Sequence, residues 1–119
     1  MNPETMELFE QAEEHRINGR YTQARELYEQ ILAEHPDFAK GWWALAHTLM
    51  NQGEFDKALE LFRKACEMEP DNQKFLYDCA MMHTMLGMYD EAKPLFERVI
   101  EIDPDTRVAD DARKQLAYF

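Results

Sequence analysis

Cys79 and His83 stand four residues apart. On a helix they would share one face, one turn apart, which is the spacing of two metal ligands. Two ligands are only half of a structural zinc site, which takes four. Cys66 is the other cysteine, and no CxxC pair occurs. The remaining histidines are His15, His35 and His47. The chain contains not one serine, so serine triads and the GxSxG elbow are excluded outright. Its glycines are isolated, which leaves no loop to cradle a phosphate. Acidic clusters such as Glu10, Glu13 and Glu14, or Glu54, Asp56 and Glu60, have no apolar pocket that would raise a carboxyl pKa. These residues therefore predict no enzyme, no metal and no cofactor.

Bulk properties narrow the partners. The 119 residues are enough to bury a core without disulfides or metal, and they predict one domain over 1–119. The formal net charge is −11. Such a surface repels phosphate backbones and anionic lipid, so the expectation is no nucleic acid and no membrane partner. Solubility alone accounts for the charge, and a bias toward basic or neutral partner segments is its functional reading. Two cysteines make no disulfide framework, and the N-terminus shows neither a basic stretch nor an apolar run. A cytoplasmic location follows as the expectation. The longest apolar stretches, 42–50 and 79–88, are interrupted by His, Thr or Gly and fall short of the roughly 20 residues of a membrane span.

The elements that must position these side chains show a period. Gly19, Gly53 and Gly87 are 34 residues apart, as are Pro36, Pro70 and Pro104. The same step links Ala24, Ala58 and Ala92, then Tyr21, Phe55 and Tyr89, and then Tyr28, Phe62 and Phe96. Asp37, Asp71 and Asp105 follow the prolines. Each register has a physical reading. The glycine supplies the left-handed residue that closes a helix. Thr22, Asp56 or Asp90 is placed to cap the next helix. The alanine allows close helix contact, and the aromatic four residues on lies on the same face. The proline ends that helix, and the following aspartate is placed to cap the next. Asn2 with Pro3 is the matching start signal. Helices are predicted over 3–17, 22–34, 38–51, 56–68, 72–85, 90–102 and 105–118. Pro94 should cost one backbone bond near a helix start without breaking it.

These residues resemble the tetratricopeptide repeat family. The middle copy carries the pattern most fully: Trp42, Leu45, Ala46, Gly53, Phe55, Ala58, Phe62, Ala65 and Pro70. The first copy reads Leu8, Gln11, Ala12 and His15 in its first helix, and the third reads Leu76, Cys79, Ala80 and His83. The resemblance implies three repeats, about 5–38, 39–72 and 73–106, closed by a C-terminal helix over 107–119. Val108, Ala112, Leu116 and Phe119 lie along one face of that last helix. The implied fold is all-α, an α-solenoid of antiparallel helix pairs in a right-handed superhelix, with first helices lining a concave face. Stacked copies share one continuous core.

The resemblance also divides the first helices. Packing positions would take Leu8, Ala12 and His15; Trp42, Leu45, Ala46 and Leu49; and Leu76, Cys79, Ala80 and His83. His15 and His83 then become core histidines with a hydrogen-bond partner, while His35 in its turn is expected to be exposed. The concave face would take Phe9, Glu13, Arg16 and Ile17 from repeat 1. Repeat 2 would add Lys40, Trp43, His47, Met50 and Asn51, and repeat 3 Lys74, Tyr77, Met81, Thr84 and Met85. Trp42 and Trp43 point about 100° apart on a helix, so they cannot share one core position. Phe9, Trp43 and Tyr77 hold one register, an aromatic stripe, and Met50, Met81 and Met85 add adaptable apolar surface. The C-terminal helix could instead cover Tyr77 and Met85.

Some members of this family grip the acidic C-terminus of a chaperone with Lys, Asn and Arg on the first helices. Phe9, Glu13, His47, Tyr77 and Met81 do not supply that set of donors. An apolar or amphipathic peptide is the expected partner instead. Short three-repeat bacterial secretion chaperones are a similar acidic class, with an additional N-terminal dimerisation segment. The competing reading is a self-assembly element, a weak homo-oligomer formed through terminal or concave faces, with Ala117, Tyr118 and Phe119 as one apolar end.

Overall fold

Seven helices fill the computed structural model, which describes residues 1–119: α1 Pro3–Ile17, α2 Tyr21–Glu34, α3 Ala39–Asn51, α4 Phe55–Met68, α5 Gln73–Met85, α6 Tyr89–Ile102 and α7 Arg107–Leu116. There is no strand. The expected helix boundaries hold to within two residues. Pro94 sits inside α6 without breaking it.

The turn inside each repeat is built the same way three times. Gly19, Gly53 and Gly87 have φ of +77°, +82° and +75°. In the middle copy the Gly53 N–H donates to the Met50 carbonyl at 3.0 Å and the Glu54 N–H to the Leu49 carbonyl at 2.9 Å. This bond pair satisfies the last carbonyls of a helix and requires a left-handed residue. Nothing lies within 4 Å of a Cβ built on Gly53, so the cost of a side chain there is purely backbone strain. Gly53→Ala is expected to lose about 1–2 kcal/mol, read from urea melts of the two proteins. A loss below about 0.3 kcal/mol would show that the turn relaxes instead.

The same turn overturns part of the capping expectation. Thr22, Asp56 and Asp90 lie inside the first turns of α2, α4 and α6 and do not cap them. The residue after each glycine already starts the next helix: the Arg20, Glu54 and Met88 carbonyls accept from the N–H of Ala24, Ala58 and Ala92 at 3.1, 2.9 and 3.1 Å. Arg20 and Met88 cap with no side-chain bond. Between repeats, the cap falls one residue later than expected. Asn72 accepts from the Phe75 N–H at 3.1 Å and Thr106 from the Ala109 N–H at 3.2 Å, while Phe38 caps α3 with no side-chain bond. Asp71 is left to pair with Arg98 at 2.8 Å. Asn2 does cap α1, accepting from the Thr5 N–H at 2.8 Å ahead of Pro3.

The chain divides into two compact units, 1–68 and 69–119. In the first, α1 pairs with α2 and α3 with α4, and α2 packs on α3. Gly41 makes that last approach close: a Cβ there would stand 2.8 Å from the Phe38 ring and 2.9 Å from Leu32 Cδ2. Ala12, Ala24, Tyr28, Ala46, Ala58 and Phe62 are sealed in its core. In the second unit, α5 pairs with α6, and α7 packs on both. Ala80, Ala92, Phe96, Val99, Ala109 and Ala112 are sealed there.

The first helix of the first repeat differs from its two counterparts on one side. Gly41, Ala44, Leu45 and Thr48 of α3 are buried, and so are Phe75, Asp78, Cys79 and Met82 of α5. The same registers of α1 hold Glu7, Glu10, Gln11 and Glu14, all exposed. A second copy stacked on this face would desolvate three carboxylates, which is costly without partners.

Candidate functional site

In each repeat a ring of the first helix meets the aromatic of the second helix. In repeat 1, Phe9 stands 5.9 Å from the Tyr28 ring and 5.1 Å edge-on to Phe38. In repeat 3 the matching pair, Tyr77 and Phe96, is 5.6 Å apart. In repeat 2, His47 lies edge-on to Phe62 at 5.1 Å, and Trp43 lies edge-on to His47 at 4.7 Å. Side chains at i and i+4 stack along one helical face, so Trp43 and His47 form a continuous ledge above Phe62.

The two tryptophans diverge as their adjacency requires. Trp42 donates its indole N–H to the Pro36 carbonyl at 2.8 Å, and the Lys64 ammonium sits 3.9 Å over its ring. Trp43 faces the other way, toward α1, where the Arg16 guanidinium is 5.6 Å from its ring. Both are half-buried.

Arg16 and Glu13 are committed to each other. Arg16 Nη2 donates to Glu13 Oε2 at 3.0 Å, and Arg16 Nε donates to the Tyr28 hydroxyl at 3.2 Å. The Tyr28 hydroxyl in turn donates to Glu13 Oε1. Burial first, then the Glu13 carboxylate, raise the Tyr28 pKa above the ordinary value of 10.0. The sequence carried one signal for this triad. Tyr28 holds a register that is Phe62 and Phe96 in the other copies, and a buried hydroxyl needs a partner.

Other expected residues fall as follows. Lys40 is exposed, with its ammonium 5.6 Å from the Phe9 ring. Met50 is half-buried, and Asn51 and Ile17 are exposed. Phe9 and Lys40 border a shallow depression of about 370 Å³ with Met1, Met6, Glu10 and Phe38. In the second unit, Lys74 pairs with Asp78 at 3.3 Å and lies 5.7 Å over Tyr77. Gln115 of α7 lies near the Tyr77 hydroxyl, so α7 reaches toward it. Burial, followed by the Asp111 charge, raises the Tyr77 pKa. Met81 and Thr84 are half-buried, and Met85 remains 55% exposed. The capping helix thus approaches Tyr77 and leaves Met85 open.

The histidines depart from expectation twice. His83 is buried and bonds to the Cys79 carbonyl at 2.8 Å through Nδ1, as a core histidine should. His15 is only half-buried, since its ring turns to the chain after α1, where its Nδ1 accepts from Arg20 at 2.7 Å. His35 is half-buried rather than exposed, since its Nε2 lies 3.3 Å from the hydroxyl of buried Thr5. Cys79 Sγ lies 3.7 Å from His83 Nδ1, and no group of three metal-ligating side chains converges anywhere. No helix is long and apolar enough to cross a membrane.

Helix pairs joined by a glycine turn, repeated at a fixed step and closed by one more helix, define an all-α solenoid, the fold of a protein-interaction module. Tetratricopeptide repeat models match residues 9–72 and residues 49–116. Each match covers more than half of the 119 residues, and the chain belongs to the tetratricopeptide repeat family. Members of that family are typically non-catalytic interaction modules. The structure is similar to the Yersinia enterocolitica type III secretion chaperone SycD in complex with a peptide of the translocator YopD. The two share 14% identity over 99% of this chain and 90% of that one, with a TM-score of 0.86. A type III secretion complex from Aeromonas hydrophila gives 15% identity over 99% and 81% of the two chains, with a TM-score of 0.91. The first repeat domain of Spaghetti (RPAP3) bound to an HSP90 peptide gives 21% over 92% and 88%, with a TM-score of 0.82. At these identities the likeness shows the fold. No curated protein matches the sequence.

Proposed function

We propose that the chain is a non-enzymatic adaptor or chaperone-like module that holds an apolar or amphipathic peptide on the first-helix face of its repeats, with Trp43 as the anchor. The observation that carries this is the orientation of Trp43. It turns away from the buried side of α3, lies against His47, and is flanked by the Arg16 guanidinium. A half-buried indole held by rigid neighbours is the kind of group that becomes a binding hot spot. Phe9, Met50 and Asn51 extend the face within the first unit, and Met81 and Met85 supply adaptable apolar surface in the second. Glu13 and Arg16 act indirectly, by holding Trp43 in place. Lys40 is exposed, with its ammonium 5.6 Å from the Phe9 ring, and is placed to meet an acidic group on the peptide. The solved relatives that carry a peptide support a peptide as the occupant here. Two cysteines not joined in a disulfide suit a cytoplasmic setting.

A labelled library of amphipathic and apolar peptides, read by fluorescence anisotropy, tests this. Peptides that bind the wild type should bind Trp43→Ala about 30-fold more weakly, a loss of about 2 kcal/mol. The variant should keep a cooperative melt, because truncating a half-buried side chain costs less than the 3–5 kcal/mol of a sealed one. Unchanged affinity in Trp43→Ala overturns the site, as does lost folding with Met50→Ala binding normally.

A further inference from the structure

A second recognition surface lies wholly within residues 69–119. The N-terminal turn of α6 and the C-terminal turn of α7 enclose an open depression of about 620 Å³. Two of its walls are aromatic. Tyr89 and Phe119 stand 6.0 Å apart with their rings at 86°, which makes a corner of two faces. Phe119 is fixed from behind by Phe96, 5.9 Å away at 78°. Tyr118 flanks the corner and is 86% exposed. Phe96 is sealed in the core, so the corner stands on rigid structure.

The polar groups in this depression decide what it would hold. Asp90 lines it and takes part in no salt bridge. Gln115, also in the lining, lies near Tyr77. The end of α7 contributes the negative pole of a helix, which favours a cation. Lys93, on the same wall as Asp90, opposes one. The chain as a whole carries −11, so a basic segment is the partner it attracts.

We propose that the Tyr89–Phe119–Tyr118 corner binds an arginine side chain of a basic peptide. The planar guanidinium stacks on aromatic faces and is more weakly hydrated than an ammonium. The ring faces attract it electrostatically, and Asp90 supplies the counter-charge. Lys93 limits affinity at the rim.

The probe is N-acetyl-Gly-Arg-Gly-amide, titrated into the isotope-labelled full chain and followed by amide shifts. Its neutral citrulline isostere and its phenylalanine counterpart are the controls. The arginine peptide should shift Tyr89, Tyr118 and Phe119 and bind about fivefold or more tightly than the citrulline peptide. Added salt should weaken it. Asp90→Asn and Tyr118→Ala should each weaken it about threefold or more, and Lys93→Glu should tighten it by a similar factor. Tyr118 is so exposed that its truncation leaves the melt unchanged. Equal binding of arginine and citrulline peptides overturns the proposal, as does preferred binding of the phenylalanine peptide. So does a Lys93→Glu variant that binds no more tightly. Shifts at these residues that follow protein concentration without peptide would mark a second copy as the occupant and overturn it too.

Discussion

Phe62→Ala is expected to destabilise the protein by about 3–5 kcal/mol, the usual cost of truncating a sealed aromatic. The Phe62 side chain is only 1% exposed and sits at the centre of the first unit. Its ring meets the edge of His47 at 5.1 Å, and His47 carries Trp43 at 4.7 Å. The cavity left by alanine therefore lies directly beneath the proposed peptide face. Calorimetry should show the melting temperature falling by roughly 10–20 °C. Residual folded protein should also bind peptide poorly, because the ledge has lost its floor. Phe62→Leu keeps most of the volume and should cost less than half as much. A loss under about 1 kcal/mol for the alanine variant would show that α3 and α4 collapse to fill the space.

Glu13→Ala should cost about 2–3 kcal/mol, because it strips a charged acceptor from two buried or half-buried donors. Tyr28 would keep only its contact with Arg16, and Arg16 would lose its carboxylate. Tyr28→Phe should cost less, about 1 kcal/mol, since Glu13 can turn to water. Phenylalanine is also what the other two repeats use in this register. A double-mutant cycle should return a coupling of about 1–2 kcal/mol, and additivity would deny the triad. The pH dependence has a fixed sign. Tyr28 has a folded pKa raised above 10.0. Its contribution is therefore fully present below that value. It is lost as pH rises beyond it, because the unfolded chain releases a proton that the folded chain keeps. Above about pH 10 the wild type should lose more stability with rising pH than Tyr28→Phe.

Much of this protein is legible along the chain. A 34-residue step cannot persist in six registers unless each one answers a local demand. The glycines answer a left-handed turn, and their φ values of +75° to +82° bear that out. Ala24, Ala58 and Ala92 answer close helix contact, and all three are fully buried. Helix positions and the divergence of Trp42 from Trp43 follow from backbone geometry and period, while the division of the first helices into packing and groove positions is what the family resemblance implies. The caps were less legible. Thr22, Asp56 and Asp90 look like caps by type, but the glycine turn runs straight into the next helix and leaves no residue free for that role.

What only the tertiary structure decided is which polar side chains meet. Glu13 and Tyr28 are fifteen residues apart and Thr5 and His35 thirty apart. Their pairing depends on how two helices are set against each other. The approach of Gln115 of α7 to Tyr77 has the same origin. Periodicity reports which side of a helix turns inward, since that depends on 3.6 residues per turn. It does not report which side chain stands opposite, since that depends on helix separation and rotation. So the residues expected to make up one open face differ in their surroundings: Trp43 lies on His47, Glu13 and Arg16 bond to each other, and Lys40 and Met85 are exposed. Cys79 and His83, the pair with the most suggestive spacing, are buried beside each other with no third ligand to complete a metal site.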